Sequence, residues 1–359
     1  MTTETDWKLF ESNEEAWDAM LADCAEAEKS ISLEQFIFVN DDFGKKLITV
    51  CAERAVKGVE VRFLWDAAGS FTFWGSNIAD ELKTRGIELV FWKTLVPSYF
   101  RLPDWRYWYL RNHRRTIVVD GKIGYTGSIC VDERMKNWRD ANLRVEGVVA
   151  KQMENSFDRM WDRARRARPL AKKLHYRNNE FRYLTSYPAP GRRLVYREFV
   201  RAIRKAERYV FITAPYFVPT HRLIRLLRLA AERGVEIKII LPEKSDYRLV
   251  DLAARSYFTT LLESGARVFL YHGKMIHSKT IAIDDTWASV GSMNWDRASL
   301  LYNFEANIVS TNDRFARAVA ASLKRDLESS REVTVSEWRT RSFIEKILEF
   351  LVRFIRKFL

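Results

Sequence analysis

The sequence predicts an α/β protein made of two similar halves and completed by a C-terminal amphipathic helix. Short apolar strands alternate with helices, which is typical of α/β domains with a largely parallel sheet. The order of these elements recurs in the second half of the chain. Residues 342–359 place their apolar side chains on one face of a helix and their charges on the other. These three observations determine the predicted fold class.

The first half alternates strands and helices and ends in a long helix. The predicted elements are a helix at 14–29, a strand at 31–38, a helix at 44–57, a strand at 59–65, a helix at 77–85, strands at 86–92, 116–119 and 123–125, and a helix at 148–165. The turn Asp120-Gly121 separates two of the strands.

The second half repeats this plan. Its predicted elements are a strand at 209–215, a helix at 223–233, a strand at 235–241, a helix at 249–264 and a strand at 265–271. Residues 58–62 resemble 234–238, so the repeat covers whole domains. We therefore predict a first domain at 1–165, a basic linker with Pro and Gly at 166–193, a second domain at 194–333 and a C-terminal helix at 341–359.

Composition narrows the class of partner. The chain has 359 residues, enough for two cores, and a formal net charge of +13. A basic surface attracts nucleic acid or an anionic lipid surface. The 12 Trp, 22 Phe and 14 Tyr favour a membrane interface slightly, although packing in ordinary cores explains them equally well.

Cellular setting follows from what the sequence lacks. The three cysteines, Cys24, Cys51 and Cys130, are scattered and have no metal-binding spacing, so we expect neither disulfides nor a structural metal. The acidic N-terminal residues do not resemble a signal peptide, and no apolar run is long enough to span a bilayer. We expect a protein at the cytoplasmic face of the membrane, in peripheral contact with it.

One motif occurs twice and carries the chemistry. It consists of a His, a cation two positions later, an Asp seven positions later, and Gly-Ser fourteen and fifteen positions later. The whole pattern recurs in the same register on two of only five histidines. The two copies are His113, Arg115, Asp120 and Gly127-Ser128, and His277, Lys279, Asp284 and Gly291-Ser292.

Paired histidines and cations suit displacement at a phosphodiester. One histidine attacks phosphorus and becomes a phosphohistidine, while the other protonates the departing alcohol and then activates the acceptor. In a strand, residues i and i+2 point to the same face, so Arg115 and Lys279 lie beside their histidines and can neutralise the phosphate oxygens. This chemistry requires no metal, and we expect no cofactor.

The paired motif resembles the HxKx4D signature of the phospholipase D superfamily. Most of 31–311 is similar to bacterial-type cardiolipin synthases, and the most specific stretches are 138–147, 213–219, 241–246 and 250–257. The resemblance implies two phospholipase D-like α/β/α domains in a pseudo-twofold arrangement that share one active site.

The resemblance also implies roles for further residues. Asn294 would contact phosphate. Ser128 and Ser292 of the Gly-Ser pairs would also bind it. Asp140 and Glu305 would orient the histidines, each of which precedes its acid in the same half. Asp120 and Asp284 match the motif aspartates and are more structural than chemical.

The first half-site departs from the family pattern at two positions. Arg115 stands where the family usually has Lys, and Cys130 stands where it has a phosphate-binding Asn. Arg keeps the charge but offers a larger, planar fork of donors. We therefore expect the two histidines to have different tasks.

The predicted function is a phosphatidyl transferase that makes cardiolipin from phosphatidylglycerol. His113 is expected to form the phosphatidyl-histidine and His277 to act as acid and base, although the residues equally allow the reverse. Alternatives are a hydrolytic phospholipase D giving phosphatidic acid, a phosphodiesterase or nuclease, and a non-catalytic membrane scaffold. The expected partner is an anionic phospholipid rather than nucleic acid, and the sequence indicates no particular oligomeric state.

Two segments are predicted to contact the membrane. The insertion 97–111 mixes aromatic residues with arginines and includes Trp105 and Trp108. The C-terminal helix presents Leu351, Phe354 and Phe358 on its apolar face, and its cations suit an anionic surface. The alternative is that the insertion packs between the domains and that the helix docks on its own domain or on a partner.

Overall fold

The computed structural model describes residues 5–73, 75–92, 110–166, 180–189 and 191–356. Strands β1 to β9 are Trp7–Ser12, Ser30–Gln35, Glu60–Asp66, Ile87–Trp92, Thr116–Val119, Ile123–Gly127, Arg139–Glu146, Phe181–Ser186 and Tyr209–Thr213. Strands β10 to β17 are Phe217–Val218, Glu236–Pro242, Arg267–Tyr271, Thr280–Ile283, Trp287–Gly291, Trp295–Asp296, Glu305–Ser310 and Ser330–Val333.

Eleven α-helices are formed by the described residues. They are α1 to α11, at Asn13–Ala25, Asp42–Val56, Ile78–Thr84, Val148–Arg166, Leu194–Lys205, His221–Glu232, Arg248–Arg255, Phe258–Glu263, Asp313–Glu328, Val335–Thr340 and Phe343–Ile355. The predicted helix at 249–264 is in fact two helices, α7 and α8. The break lies at Ser256, whose hydroxyl donates to the carbonyl of Ala253 and so competes with the regular helical pattern.

Two large sheets form the centre of the molecule. Their strand orders are β1-β7-β6-β5-β2-β3-β4 and β17-β12-β11-β9-β13-β14-β16-β8. In each sheet three neighbouring strands are parallel and the remaining pairings are antiparallel. The sheets are therefore mixed, and the expectation of largely parallel sheets is wrong. The α/β class and the repeated domain plan are confirmed.

Each of the seven strands of the first sheet has a counterpart in the second sheet. Strand β1, at an edge of the first sheet, corresponds to β8, at an edge of the second. The sequence predicted neither of these. Strand β1 lies in the acidic N-terminal region, and β8 occupies 181–186, which was assigned to the linker. Both are partly exposed and alternate in burial, so they lack the continuous apolar run of a buried strand.

The two halves share part of their hydrophobic core. Val118, Leu143 and Met153 of the first half pack in one cluster with Val290 and Ile308 of the second. All five side chains are buried. Because this cluster lies between the sheets, it fixes the strands that carry the two motifs relative to each other.

The motif aspartates hold the ends of neighbouring strands. Asp120 has a φ of 54°, and its carboxylate accepts the backbone N–H groups of Glu28, Lys29 and Ser30 at 3.0, 2.7 and 2.9 Å. Burial alone would raise the pKa of Asp120, but these N–H donors lower it overall. The position therefore suits a short acid that tolerates left-handed backbone geometry.

The second motif repeats this anchor. Asp284 has a φ of 56° and accepts the N–H groups of Glu207, Arg208 and Tyr209, each at 2.8 Å. The matching geometry in the two halves places both aspartates at the far end of the motif strand from its histidine. Their contacts are structural.

The C-terminal helix α11 docks through a mixed face that includes Glu349 and Val352. Ser342 and Glu345 form a capping box that starts the helix. Glu349 is buried and pairs with Arg341, with Nη2 and Oε2 2.9 Å apart, and Arg356 donates to Ser256 Oγ at 3.0 Å. The outward-facing side is apolar: Phe343, Ile344, Ile347, Leu348, Phe350, Leu351 and Phe354 are exposed. None of the described helices is long and apolar enough to cross a membrane.

We expect Asp120→Ala to lower the free energy of unfolding by about 2 kcal/mol, since three backbone donors lose a charged acceptor. Urea denaturation followed by circular dichroism measures this change. Asp120→Asn keeps one acceptor oxygen and the local backbone preference, so its loss should be smaller. An unchanged free energy of unfolding in Asp120→Ala would show that the carboxylate does not hold the strand ends.

Candidate functional site

The two motif histidines are buried at the interface between the halves, and each is paired with an acid from the other half. His113 Nδ1 lies 2.8 Å from Glu305 Oε1, and His277 Nδ1 lies 3.1 Å from Asp140 Oδ2. The sequence order had suggested that each acid serves the histidine of its own half. The structure shows instead that each acid pairs with the histidine of the other half. Strand β7, which carries Asp140, lies against the second motif, and β16, which carries Glu305, lies against the first.

Backbone hydrogen bonds reinforce this crossing in the same way on both sides. His113 N–H donates to Phe304 O at 3.0 Å, and Phe304 N–H donates to Arg111 O at 2.9 Å. On the other side, His277 N–H donates to Arg139 O at 2.7 Å, and Arg139 N–H donates to Met275 O at 2.9 Å. Each orienting acid thus directly follows a residue that is fixed to the opposite motif.

Each motif cation folds back onto its own histidine. Lys279 Nζ lies 3.0 Å from His277 Nε2 and 2.9 Å from the His277 carbonyl oxygen. Arg115 makes the same two contacts, with Nη2 2.9 Å from His113 Nε2 and Nη1 3.0 Å from the His113 carbonyl oxygen. The reactive Nε2 atoms therefore face a cationic centre that suits a phosphate.

Burial and crowding of cations shift the protonation of this centre. Burial, reinforced by Arg115, lowers the pKa of Lys279 to about 7. Burial, followed by Lys279, lowers the pKa of His277 to about 4, with Asp140 opposing the shift. Burial, together with Arg115 and Lys279, also holds the pKa of His113 well below its ordinary value. An anion between these groups would relieve the repulsion that disfavours their charged forms.

The pKa values of the two orienting acids shift in opposite directions. Burial alone would raise the pKa of Asp140, but the neighbouring His277 and Lys279 lower it overall, so Asp140 is ionised. Burial raises the pKa of Glu305 well above its ordinary value, although Ser292 donates a hydrogen bond to it. The carboxyl group that faces His113 therefore binds a proton more tightly than the one that faces His277.

The glycines of the Gly-Ser pairs permit a close approach to the acid strands. A Cβ at Gly127 would lie 2.6 Å from Ala141 O, and one at Gly291 would lie 2.4 Å from Ala306 O. Beside them, Asn142 Oδ1 accepts the N–H of Ser128 at 3.1 Å. Asn307 Oδ1 likewise accepts the N–H of Met293 at 3.2 Å.

Asn142 and Asn307 are positioning residues that the sequence reasoning missed. A signal was present, because both orienting acids are followed by Ala-Asn: Asp140-Ala141-Asn142 and Glu305-Ala306-Asn307. Both amides are buried and secure the Gly-Ser turn to the strand of the orienting acid.

The three predicted phosphate ligands are not equivalent. The Ser292 hydroxyl donates to Glu305 and accepts the N–H of Ala306, so it is engaged in orienting the acid. Among the described residues, the Ser128 hydroxyl and the Asn294 side-chain oxygen have no hydrogen-bond partner, although both are buried. A buried amide or hydroxyl without a partner is unfavourable, and a ligand would satisfy it.

Arg115 and Cys130 are in direct contact. Arg115 Nε lies 3.0 Å from Cys130 Sγ. Cys130 occupies the position that corresponds to Asn294 in the other half, where no comparable bond from Lys279 to Asn294 is formed. In the first half-site the longer Arg115 side chain therefore reaches the position that the Asn294 amide takes in the second half-site.

Three aromatic rings border the histidines. Phe36 lies edge-on to His113, with ring centroids 4.7 Å apart, whereas Trp138 and Tyr216 lie 5.3 and 6.5 Å from the His277 ring. The predicted membrane-contact residues Trp105, Trp108 and Phe358 lie outside the described residues. No group of three or more His, Cys, Asp or Glu in the described part of the chain is arranged to hold a metal ion.

Comparison with known proteins decides the family. The profile described as "Cardiolipin synthase, PLD-like domain" matches residues 20–161 and 199–327. The chain belongs to this family. The expected resemblance to the phospholipase D superfamily and to cardiolipin synthases is thus confirmed, as is the enzyme class of a phospholipase D-type phosphatidyl transferase. The family implies an anionic phospholipid substrate.

Relatives and solved structures agree with this assignment. The cardiolipin synthase of Clostridium perfringens is 29% identical over 372 residues, which cover 99% of this chain and 77% of that protein. That of Listeria monocytogenes is 28% identical over 369 residues, covering 99% and 76%.

Two crystal structures share the fold. The phosphatidylserine synthase of Haemophilus influenzae has a TM-score of 0.73 at 12% identity, covering 98% of this chain and 92% of that one. The polyphosphate kinase of Porphyromonas gingivalis has a TM-score of 0.63 at 14% identity, covering 99% and 54%. At these identities the likeness establishes the fold alone.

We expect a double-mutant cycle to show that Arg115 and Cys130 act as one unit. Arg115→Lys should lower phosphatidyl transfer by about a hundredfold, because the shorter cation leaves the space beside Cys130 unfilled. Cys130→Asn should also lower it, because the amide displaces the guanidinium. The double variant recreates the Lys279 and Asn294 pair and should recover at least part of the activity. Multiplicative losses in the double variant would contradict this coupling.

Proposed function

We propose that the protein transfers a phosphatidyl group from one phosphatidylglycerol to another and so makes cardiolipin. The single observation that supports this best is the crossed pair of buried histidines, each with a carboxyl group at Nδ1 and a cation at Nε2. The similarity to cardiolipin synthases supports the choice of substrate.

In the first step, His113 Nε2 attacks the phosphorus of a bound phosphatidylglycerol. A nitrogen–phosphorus bond forms, the bond from phosphorus to the glycerol oxygen breaks, and the proton on His277 Nε2 moves to that oxygen. Arg115 and Lys279 stabilise the negative charge on the non-bridging phosphate oxygens, and this charge in turn stabilises the two cations. The products are a phosphatidyl-histidine and free glycerol.

In the second step, a hydroxyl of another phosphatidylglycerol attacks the phosphatidyl-histidine. Its oxygen bonds to phosphorus, the bond from His113 Nε2 to phosphorus breaks, and His277 Nε2 takes up the hydroxyl proton. The enzyme is thereby returned to its starting state and cardiolipin is released. Water in place of the alcohol would give phosphatidic acid.

The unequal acids support this division of tasks. Asp140 opposes the burial that lowers the pKa of His277, and a bound phosphate would oppose it further. Substrate binding therefore favours the proton that the general acid must carry at the start. Burial and the nearby cations hold the pKa of His113 well below its ordinary value, so its ring is neutral, as a nucleophile must be. The opposite assignment would require His113 to carry the proton, although its protonated form has less electrostatic support than that of His277.

Incubation with phosphatidylglycerol vesicles, followed by mass spectrometry, tests the proposal. Cardiolipin and glycerol in equal amounts are expected. His113→Ala and His277→Ala should each lose at least about a thousandfold in rate, because each step needs both groups. Phosphatidic acid as the main product would indicate a hydrolase, and full turnover by either variant would contradict the mechanism.

We propose further that α11 holds the enzyme on an anionic membrane surface. Phe354 is 62% exposed and Leu351 is 55% exposed, and among the apolar residues from 343 to 354 only Val352 is buried. Such an outward apolar face is unfavourable in water and suits the lipid interface. The exposed cations Lys346 and Arg353 suit anionic headgroups. The ion pair of Arg341 and Glu349 supports a docked helix with a fixed outward face.

We expect replacement of Phe350, Leu351 and Phe354 by Ser to weaken vesicle binding by about a hundredfold, at about 1 kcal/mol for each partly inserted side chain. Co-sedimentation with phosphatidylglycerol vesicles measures this. Val56→Ser, at another exposed apolar position, serves as the control and should bind normally. Unchanged vesicle binding by the triple variant would contradict a role of this face in membrane contact. So would a variant that binds vesicles normally but no longer self-associates as the wild type does.

A further inference from the structure

The second half carries a polar anchor beside its histidine. Tyr216 follows β9 and is half-buried, and its ring lies 6.5 Å from that of His277. Its hydroxyl donates to Asp246 Oδ1 at 2.7 Å, and Asp246 is exposed. A carboxylate and a phenol hydroxyl thus meet near His277.

The first half has no such anchor at the matching position. Trp295 N–H donates to Tyr216 O at 3.2 Å, and the corresponding bond in the first half runs from Val131 N–H to Ile37 O at 3.1 Å. Ile37 is therefore the counterpart of Tyr216. An apolar side chain on one side and a hydroxyl on the other break the twofold symmetry of the site.

Electrostatic effects place the Tyr216 hydroxyl near the reaction centre. Burial raises its pKa, Asp246 raises it further, and the Arg115 guanidinium opposes the shift. Because Arg115 also contacts His113, the hydroxyl lies within electrostatic reach of both half-sites. Tyr216, whose ring lies 6.5 Å from that of His277, therefore interacts with both half-sites.

A residue of the first half completes the group. Arg134 pairs with Asp132, its Nε lying 2.9 Å from Oδ1. Asp132 is the main cause of its raised pKa, and Asp246 and Tyr247 add to it from the second half. The Tyr247 ring lies 5.9 Å from that of Tyr216. Arg134 is thus within electrostatic reach of Asp246 and of Tyr247, the ring beside Tyr216.

We propose that Tyr216, Asp246 and Arg134 form a binding subsite for a polyol, specifically the glycerol moiety of the alcohol that leaves from or attacks phosphorus on the His277 side. This inference rests on the proposed function. A 1,2-diol offers a second hydroxyl that can donate to Asp246 and accept from Tyr216 or Arg134 while the first reacts. Water and simple alcohols have no second hydroxyl to bind there.

The position beside His277 gives this subsite control over the outcome of the reaction. Because His277 both protonates the leaving alcohol and deprotonates the acceptor, the two alcohols pass through the same place in turn. An acceptor held there by its second hydroxyl has a high effective concentration and excludes water. The subsite would thereby favour transfer over hydrolysis.

Competition between two acceptors tests the inference. The full chain is incubated with phosphatidylglycerol vesicles, isotope-labelled glycerol and an equal concentration of ethanol. Mass spectrometry then gives the ratio of labelled phosphatidylglycerol to phosphatidylethanol. Both products arise from one phosphatidyl-enzyme, so the ratio does not depend on how fast that intermediate forms. Wild type should favour glycerol, and Tyr216→Phe and Asp246→Asn should each lower the ratio about tenfold.

Tyr209→Phe provides the matched control. Tyr209 lies at the other end of the same strand and donates to an acid in the same way, to Asp285 Oδ1 at 2.8 Å. Its loss should leave the ratio unchanged. An unchanged ratio in both Tyr216→Phe and Asp246→Asn, or a wild type without preference, would overturn the subsite. A wild type that transfers to no alcohol at all would instead contradict the proposed function.

Discussion

The active centre depends on two histidine–carboxylate bonds that cross between the halves. His113 is bonded to Glu305 and His277 to Asp140, so neither half holds a complete histidine–acid pair alone. The shared core and the exchanged backbone hydrogen bonds keep these contacts in register. Orientation of each imidazole is therefore a property of the interface, and any change that shifts one sheet against the other acts on both histidines together.

The same interface creates the electrostatic conditions for phosphate chemistry. Packing brings four ionisable motif side chains out of water, and burial disfavours their charged forms, as the lowered pKa values of Lys279 and His277 show. A bound phosphate would restore the balance of charge. The centre therefore favours an anionic headgroup over a neutral ligand.

Divergence of the two halves gives a symmetric scaffold an asymmetric site. Arg115 with Cys130 replaces the pair of Lys279 and Asn294, and the pKa values of the two acids shift in opposite directions. Outside the centre, α11 with its outward apolar face follows the second half. The proposed two-step transfer needs one histidine to bond to phosphorus and the other to move protons, and this asymmetry suits it.

Strand and helix periodicity and fixed spacing are local properties, so they predicted the repeated α/β plan, both motifs and the C-terminal helix, and the family resemblance added the two acids. Tertiary structure decided the rest. Edge strands β1 and β8 gain their conformation from pairing with neighbours rather than from an apolar run. The crossed histidine–acid pairs, the burial of Glu349 and the outward face of α11 depend on contacts between distant segments, which one-dimensional spacing does not encode.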